Sequence, residues 1–75
     1  MNVMSILGRM GDTEITWNPD TGDGVQLAKR TFEEKTLRHG YLAFVEGPGG
    51  EGSRLIRSFD PQAKSIILAP RLVGG

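Results

Sequence analysis

The sequence contains no cysteine and only one histidine among its 75 residues. The lack of cysteine excludes disulfides, cysteine-ligated zinc and a thiol nucleophile in this chain. No apolar run approaches the ~18 residues of a membrane-spanning helix. The N-terminal residues also lack the basic, apolar and small-residue regions of a secretory signal. We therefore expect a cytoplasmic protein.

The chain also lacks net charge, since nine acidic residues balance nine basic ones. A strong positive charge would favour nucleic acid or an anionic membrane surface as a partner, and we expect neither. His39 has no second histidine and no cysteine with which to form a metal site or a catalytic pair. We therefore expect no metal, no cofactor and no enzymatic activity in this chain.

The length predicts one domain, in which folding buries only about 60 % of the surface of the unfolded chain. Alternating apolar residues, turn residues and one helical repeat predict six elements. They are a strand over Asn2–Leu7, a strand over Asp12–Trp17 with Trp17 facing the core, a helix from Val25 to about His39, and strands over Tyr41–Val45, Ser53–Ser58 and Ser65–Leu68.

The helix is predicted from a stripe of residues at helical spacing, with most charged residues outside it. The stripe consists of Val25, Ala28, Phe32, Thr36 and His39. Leu27 and Leu37 fall outside the stripe. Thr21 or Asp23 is the expected N-cap, because its side chain can accept a hydrogen bond from a free backbone N–H. Gly40 is expected to follow the helix in a left-handed conformation.

The connections predict how the sheet is assembled. Gly8–Asp12 has the residues of a hairpin turn, and Phe59–Lys64 is predicted as a turn in which Phe59 anchors the chain to the core. The first and last strands are expected to lie parallel and adjacent at the centre, which suits the apolar run Ile66–Leu68. The predicted class is α+β, with a mixed four- to five-stranded sheet on one helix in the order β-β-α-β-β-β.

The C-terminal residues are predicted to leave this domain as an extended segment. Pro70 lacks a backbone donor and fixes φ, so the last strand is expected to end there. The sequence that follows, Arg71-Leu72-Val73-Gly74-Gly75, resembles the C-terminus of ubiquitin-like proteins, in which a basic and aliphatic stem leads into Gly-Gly. The element order is similar to the β-grasp fold of that family. Because residue identity with ubiquitin is low, the resemblance suggests a divergent prokaryotic branch.

The resemblance implies a ubiquitin-like β-grasp domain over residues 1–69 and a flexible tail over residues 70–75. In this family an adenylating activating enzyme uses ATP and magnesium to form an acyl-adenylate, here at Gly75. A cysteine of that enzyme or of a conjugating enzyme then holds the acyl group as a thioester. Transfer to a lysine of a target protein gives an isopeptide bond, which a deconjugating peptidase reverses.

Each residue of the tail has an expected role in that pathway. Gly74 and Gly75 carry no side chain, so they can pass a narrow channel and leave the reacting carbonyl accessible. Arg71 can pair with an acidic groove of a partner, and Leu72 and Val73 can fill apolar subsites.

The resemblance also suggests acceptor and partner sites. Besides the N-terminal amine, the candidate acceptors for chain formation are the only three lysines of the sequence, Lys29, Lys35 and Lys64. Ubiquitin-like proteins commonly bind partners through an apolar patch on the exposed face of the sheet. The candidates for such a patch are Leu42, Phe44, Leu55 and Leu68.

Two other functions remain open. Small β-grasp sulfur carriers also end in Gly-Gly and receive sulfur at the same adenylate, which leaves a C-terminal thiocarboxylate. A non-covalent interaction module, in which the diglycine is incidental, is the second alternative.

Gly47, Gly49 and Gly52 match G-x-G-x-x-G formally, but a strand rather than a helix is predicted to follow. We therefore interpret that segment as a loop and not as a nucleotide-binding motif.

Overall fold

The computed structural model describes residues 1–8, 10–46 and 52–71. Within them, five strands form one sheet and one helical segment covers it. The elements are β1 (Asn2–Ile6), β2 (Thr13–Trp17), α1 (Val25–Glu33), which continues as a π-helix (Glu34–Arg38), β3 (Leu42–Glu46), β4 (Ser53–Ile56) and β5 (Ser65–Ala69).

The sheet has the order β2-β1-β5-β3-β4, which is compatible with a β-grasp fold. β1 and β5 run parallel and are hydrogen-bonded neighbours, with Met4 opposite Ile66. β5 lies at the centre, because β3 pairs with its other edge in antiparallel orientation. The predicted α+β class, the mixed sheet and the central position of the last strand are confirmed.

The start of α1 differs from the prediction. Its N-cap is Gly24, at φ +83°, and no side chain caps the helix. Thr21 is used inside the preceding loop, where its hydroxyl accepts a hydrogen bond from the backbone N–H of Asp23 at 3.3 Å. A Cβ at Gly24 would lie 2.8 Å from the carbonyl oxygen of Thr16. Neither Thr21 nor Asp23 is therefore the N-cap, because the chain enters the helix against the backbone of β2 at a point where only glycine fits.

The helical segment ends close to the predicted position, but its last five residues are π-helical. The predicted stripe does not extend to His39, which is exposed. Gly40 follows at φ +70°, as expected, and the backbone N–H of Tyr41 donates to the carbonyl oxygen of Lys35 at 2.9 Å. These contacts turn the chain directly into β3.

The core lies between the sheet and the helical segment. Its largest fully buried side chains are Trp17, Phe32, Met4, Ile66 and Leu68. Phe59 packs against it from the turn before β5, with its ring centroid 5.1 Å from that of Trp17 and 5.9 Å from that of Phe32. The predicted core position of Trp17 and the anchoring role of Phe59 are confirmed.

Candidate functional site

The stem of the C-terminal segment begins at the end of β5. Ala69, opposite Leu42 of β3, is the last residue in the sheet. Pro70 and Arg71 lie outside the strand and are exposed, as expected from the missing backbone donor of proline. The described residues end at Arg71, so the roles of Leu72, Val73, Gly74 and Gly75 remain predictions.

The face of the sheet away from α1 carries a half-exposed apolar row. Phe44 pairs with Ile67 on one side and with Leu55 on the other. Leu42 lies on the same face, since side chains two residues apart on a strand share a face. We define the outer patch as Leu42, Phe44, Leu55 and Ile67, of which Leu55 is 48 % exposed.

Leu68 does not belong to this surface. It is 0 % exposed and lies in the core, with Ala43 opposite it on β3. The sequence run Ile66–Leu68 is apolar throughout because β5 has apolar neighbours on both faces. The predicted patch is therefore corrected by replacing Leu68 with Ile67, the adjacent residue that faces outward.

A groove of about 360 Å³ lies at the end of the sheet where the stem leaves the domain. Its walls come from the end of the helical segment, the start of β3, the end of β4 and the stem. We call it the end groove. Its lining residues include Leu37, Tyr41, Leu55, Arg57 and Arg71. The sequence pattern does not predict this groove, although the position of Leu37 outside the helical stripe indicates an exposed apolar residue.

The three lysines differ in their surroundings. Lys29, on α1, and Lys64, just before β5, are exposed. Lys35 is half-buried, and its Nζ lies 5.4 Å from the centroid of the Tyr41 ring. This cation–π contact holds the ammonium group against the domain.

The other residues singled out in the sequence are His39 and the glycines before β4. The Nε2 of His39 lies 3.9 Å from a carboxylate oxygen of Glu34, and both side chains are 53 % exposed. Gly47 and Gly49 lie outside the described residues, while Gly52 is followed by strand β4, as predicted.

In the described part of the chain, no group of three or more His, Asp or Glu side chains comes together as metal ligands would. None of the described helices is long and apolar enough to cross a membrane.

No family model, curated protein or solved structure matches this chain. The function of this chain must therefore be inferred from its fold, its surfaces and the sequence of its C-terminal segment.

Proposed function

We propose that this chain is a ubiquitin-like protein modifier. In this proposal an activating enzyme adenylates the carboxylate of Gly75, a thioester carries it forward, and a lysine of a target protein receives it. Residues 1–69 form the β-grasp domain and residues 70–75 form the conjugation tail.

The observation that carries the proposal is the way in which β5 ends. This strand is held by β1 on one side and β3 on the other, and it stops at Ala69. Pro70 and Arg71 then lie exposed, and the sequence continues as Leu72-Val73-Gly74-Gly75. A rigid central strand that leads into a side-chain-free terminus suits delivery of a carboxylate into a narrow site, since each extended residue adds roughly 3.3 Å of reach.

The outer patch supports the same function. A modifier must be recognised by its enzymes and by receptors without losing its fold. Leu42, Phe44 and Leu55 are partly exposed on one face, whereas the core residues lie on the other. Partner proteins can therefore bury apolar area on this face and leave the core intact.

The experiment is conjugation in an extract of the native host, with ATP and magnesium and with the purified chain tagged at its N-terminus. Trypsin cleaves after Arg71, so a conjugated lysine keeps the remnant Leu-Val-Gly-Gly. We expect lysines that carry Leu-Val-Gly-Gly with the intact chain, and no lysines that carry the corresponding remnant Leu-Val-Gly-Ala with Gly75→Ala. Gly75→Ala should unfold at the same urea concentration as the intact chain, because the tail lies beyond β5.

The same extract separates the modifier from the sulfur carrier. Intact mass of the chain recovered from its host reports whether Gly75 is the last residue and whether one carboxylate oxygen has been replaced by sulfur. A thiocarboxylate without any remnant-bearing lysine would contradict the modifier proposal. Absence of both products from an extract with an active adenylating enzyme would also contradict it.

A further inference from the structure

The end groove combines exposed apolar side chains with positive charge. Leu37 is 80 % exposed and Leu55 is 48 % exposed, so two of the large exposed apolar side chains in the described residues line one groove. Leu27, which also lies on the helical segment and is 56 % exposed, does not line it. Clustering of exposed apolar groups in a concave site marks an interaction surface more strongly than isolated exposure does.

The charges of the groove have one sign. Arg57 and Arg71 are its charged lining residues, and no acidic side chain of the described residues lines it. The two arginines come from different parts of the chain: Arg57 follows β4 directly, and Arg71 belongs to the stem after β5. Since the whole chain is electrically neutral, this local excess of positive charge favours an acidic partner.

The geometry of the sheet favours an extended partner. β4 is an edge strand, so one of its backbone edges has no partner strand among the described residues. Leu55 and Ile56 of this strand line the groove directly. An extended peptide can pair with such an edge while its side chains enter neighbouring pockets.

We propose that the end groove is a docking site for an extended acidic peptide segment of another protein that carries at least one apolar side chain. The apolar side chain packs on Leu37, Tyr41 and Leu55, and the acidic groups pair with Arg57 and Arg71. This site does not require a reaction at Gly75, so the inference stands independently of the modifier function.

The test uses the full chain, isotope-labelled for NMR, and a synthetic peptide of sequence acetyl-EDELVDLDE-amide. We expect saturable shifts of the backbone amides of Leu37, Tyr41, Leu55, Arg57 and Arg71 at peptide concentrations up to about 1 mM. Affinity should fall as sodium chloride is raised, because the pairing charges are exposed. The basic counterpart acetyl-KKKLVKLKK-amide should produce no such shifts.

Matched variants locate the site. Arg57→Glu should weaken binding of the acidic peptide about tenfold or more, which corresponds to ~1.4 kcal/mol. Arg54→Glu, on β4 but outside the groove, should leave the affinity within about twofold. Leu37→Ser, in the π-helix, should weaken binding. Leu27→Ser, which changes an exposed leucine of α1 outside the groove, should not. All four positions are exposed, so the fold is expected to persist, and the amide spectrum of each variant checks this.

Several results would overturn the inference. One is the absence of saturable shifts, and another is a set of shifts confined to Phe44 and Ile67 of the outer patch. If Arg54→Glu and Arg57→Glu lowered the affinity for the acidic peptide equally, binding would depend on the overall charge of the chain and not on the groove. Shifts of the groove amides on dilution without peptide would show that a second copy of the chain fills the groove.

Discussion

The indole Nε1 of Trp17 donates a hydrogen bond to the carbonyl oxygen of Pro61 at 2.8 Å, across 44 residues of sequence. Asn2 donates to the same oxygen through its Nδ2 at 3.0 Å. The carbonyl of one turn residue thus joins the ends of β1 and β2 to the segment that leads into β5. These two hydrogen bonds therefore anchor the chain where it enters β5, at the end of that strand away from the stem.

Loss of these two donors should not be additive. Trp17→Phe and Asn2→Ala should each lower the free energy of unfolding by about 0.5–1.5 kcal/mol through the lost hydrogen bond, because the Pro61 carbonyl keeps its other donor. Trp17→Phe should lower it further, since the smaller ring leaves space in a fully buried site. The double variant leaves that carbonyl without either donor, so its loss should exceed the sum of the single losses by at least about 0.5 kcal/mol. Urea unfolding, monitored by circular dichroism, gives the free energy of unfolding of the two single variants and the double variant. A double variant that costs no more than the sum would contradict the shared role of this carbonyl.

Two glycines with almost the same backbone conformation should respond differently to substitution. Gly22 has φ +84° and Gly24 has φ +83°, but only at Gly24 would an added Cβ meet other atoms within 4 Å. Gly22→Ala should cost about 1–2 kcal/mol of unfolding free energy through backbone strain alone. Gly24→Ala should cost about 1–3 kcal/mol more, because the new methyl group also presses on Thr16. Equal losses would show that the close approach of the helix start to β2 has no energetic role.

These glycines also show where sequence reasoning fails. Local pattern was sufficient for the strands, for the helix and for Gly40, because alternation, helical spacing and a left-handed glycine are properties of neighbouring residues. The N-cap was predicted wrongly at Thr21 or Asp23, because the residue that fits there is chosen by the backbone of Thr16. That contact is absent from the local pattern.

The faces of the sheet show a second limit. Trp17 was assigned correctly to the core because β2 alternates and one of its faces is polar. β5 has apolar residues on both faces, so Ile67 and Leu68 could not be distinguished by pattern. The end groove was also beyond local pattern, since Leu37, Arg57 and Arg71 come together only through the sheet order.

Leu55 and Leu68 provide a direct comparison of patch and core. Leu68→Ala should lower the free energy of unfolding by about 2–5 kcal/mol, because it leaves a cavity in a fully buried site. Leu55→Ala should change it by less than about 1 kcal/mol, since Leu55 is 48 % exposed. Thermal and urea unfolding of the two variants give the comparison. Similar losses for both leucines would contradict the separation of the outer patch from the core.

The lysines should differ as acceptors if chains of this protein form. Lys29 and Lys64 are exposed, whereas Lys35 is held over the Tyr41 ring. We expect the Leu-Val-Gly-Gly remnant on Lys29 or Lys64 in preference to Lys35. Tyr41→Leu removes the aromatic ring and should raise the fraction of the remnant that is found on Lys35. A dominant linkage through Lys35 in the unaltered protein would contradict this ranking.

The proposed function depends on one step, the activation of the Gly75 carboxylate by an enzyme. The most direct test is exchange of labelled pyrophosphate into ATP by the adenylating enzyme of the native host, with magnesium and the purified chain. The intact chain is compared with one that lacks Gly74 and Gly75. We expect exchange with the intact chain and loss of exchange with the shortened one. No exchange from the intact chain, with an enzyme that is active on its own known substrate, would show that the Gly75 carboxylate is not activated in this way.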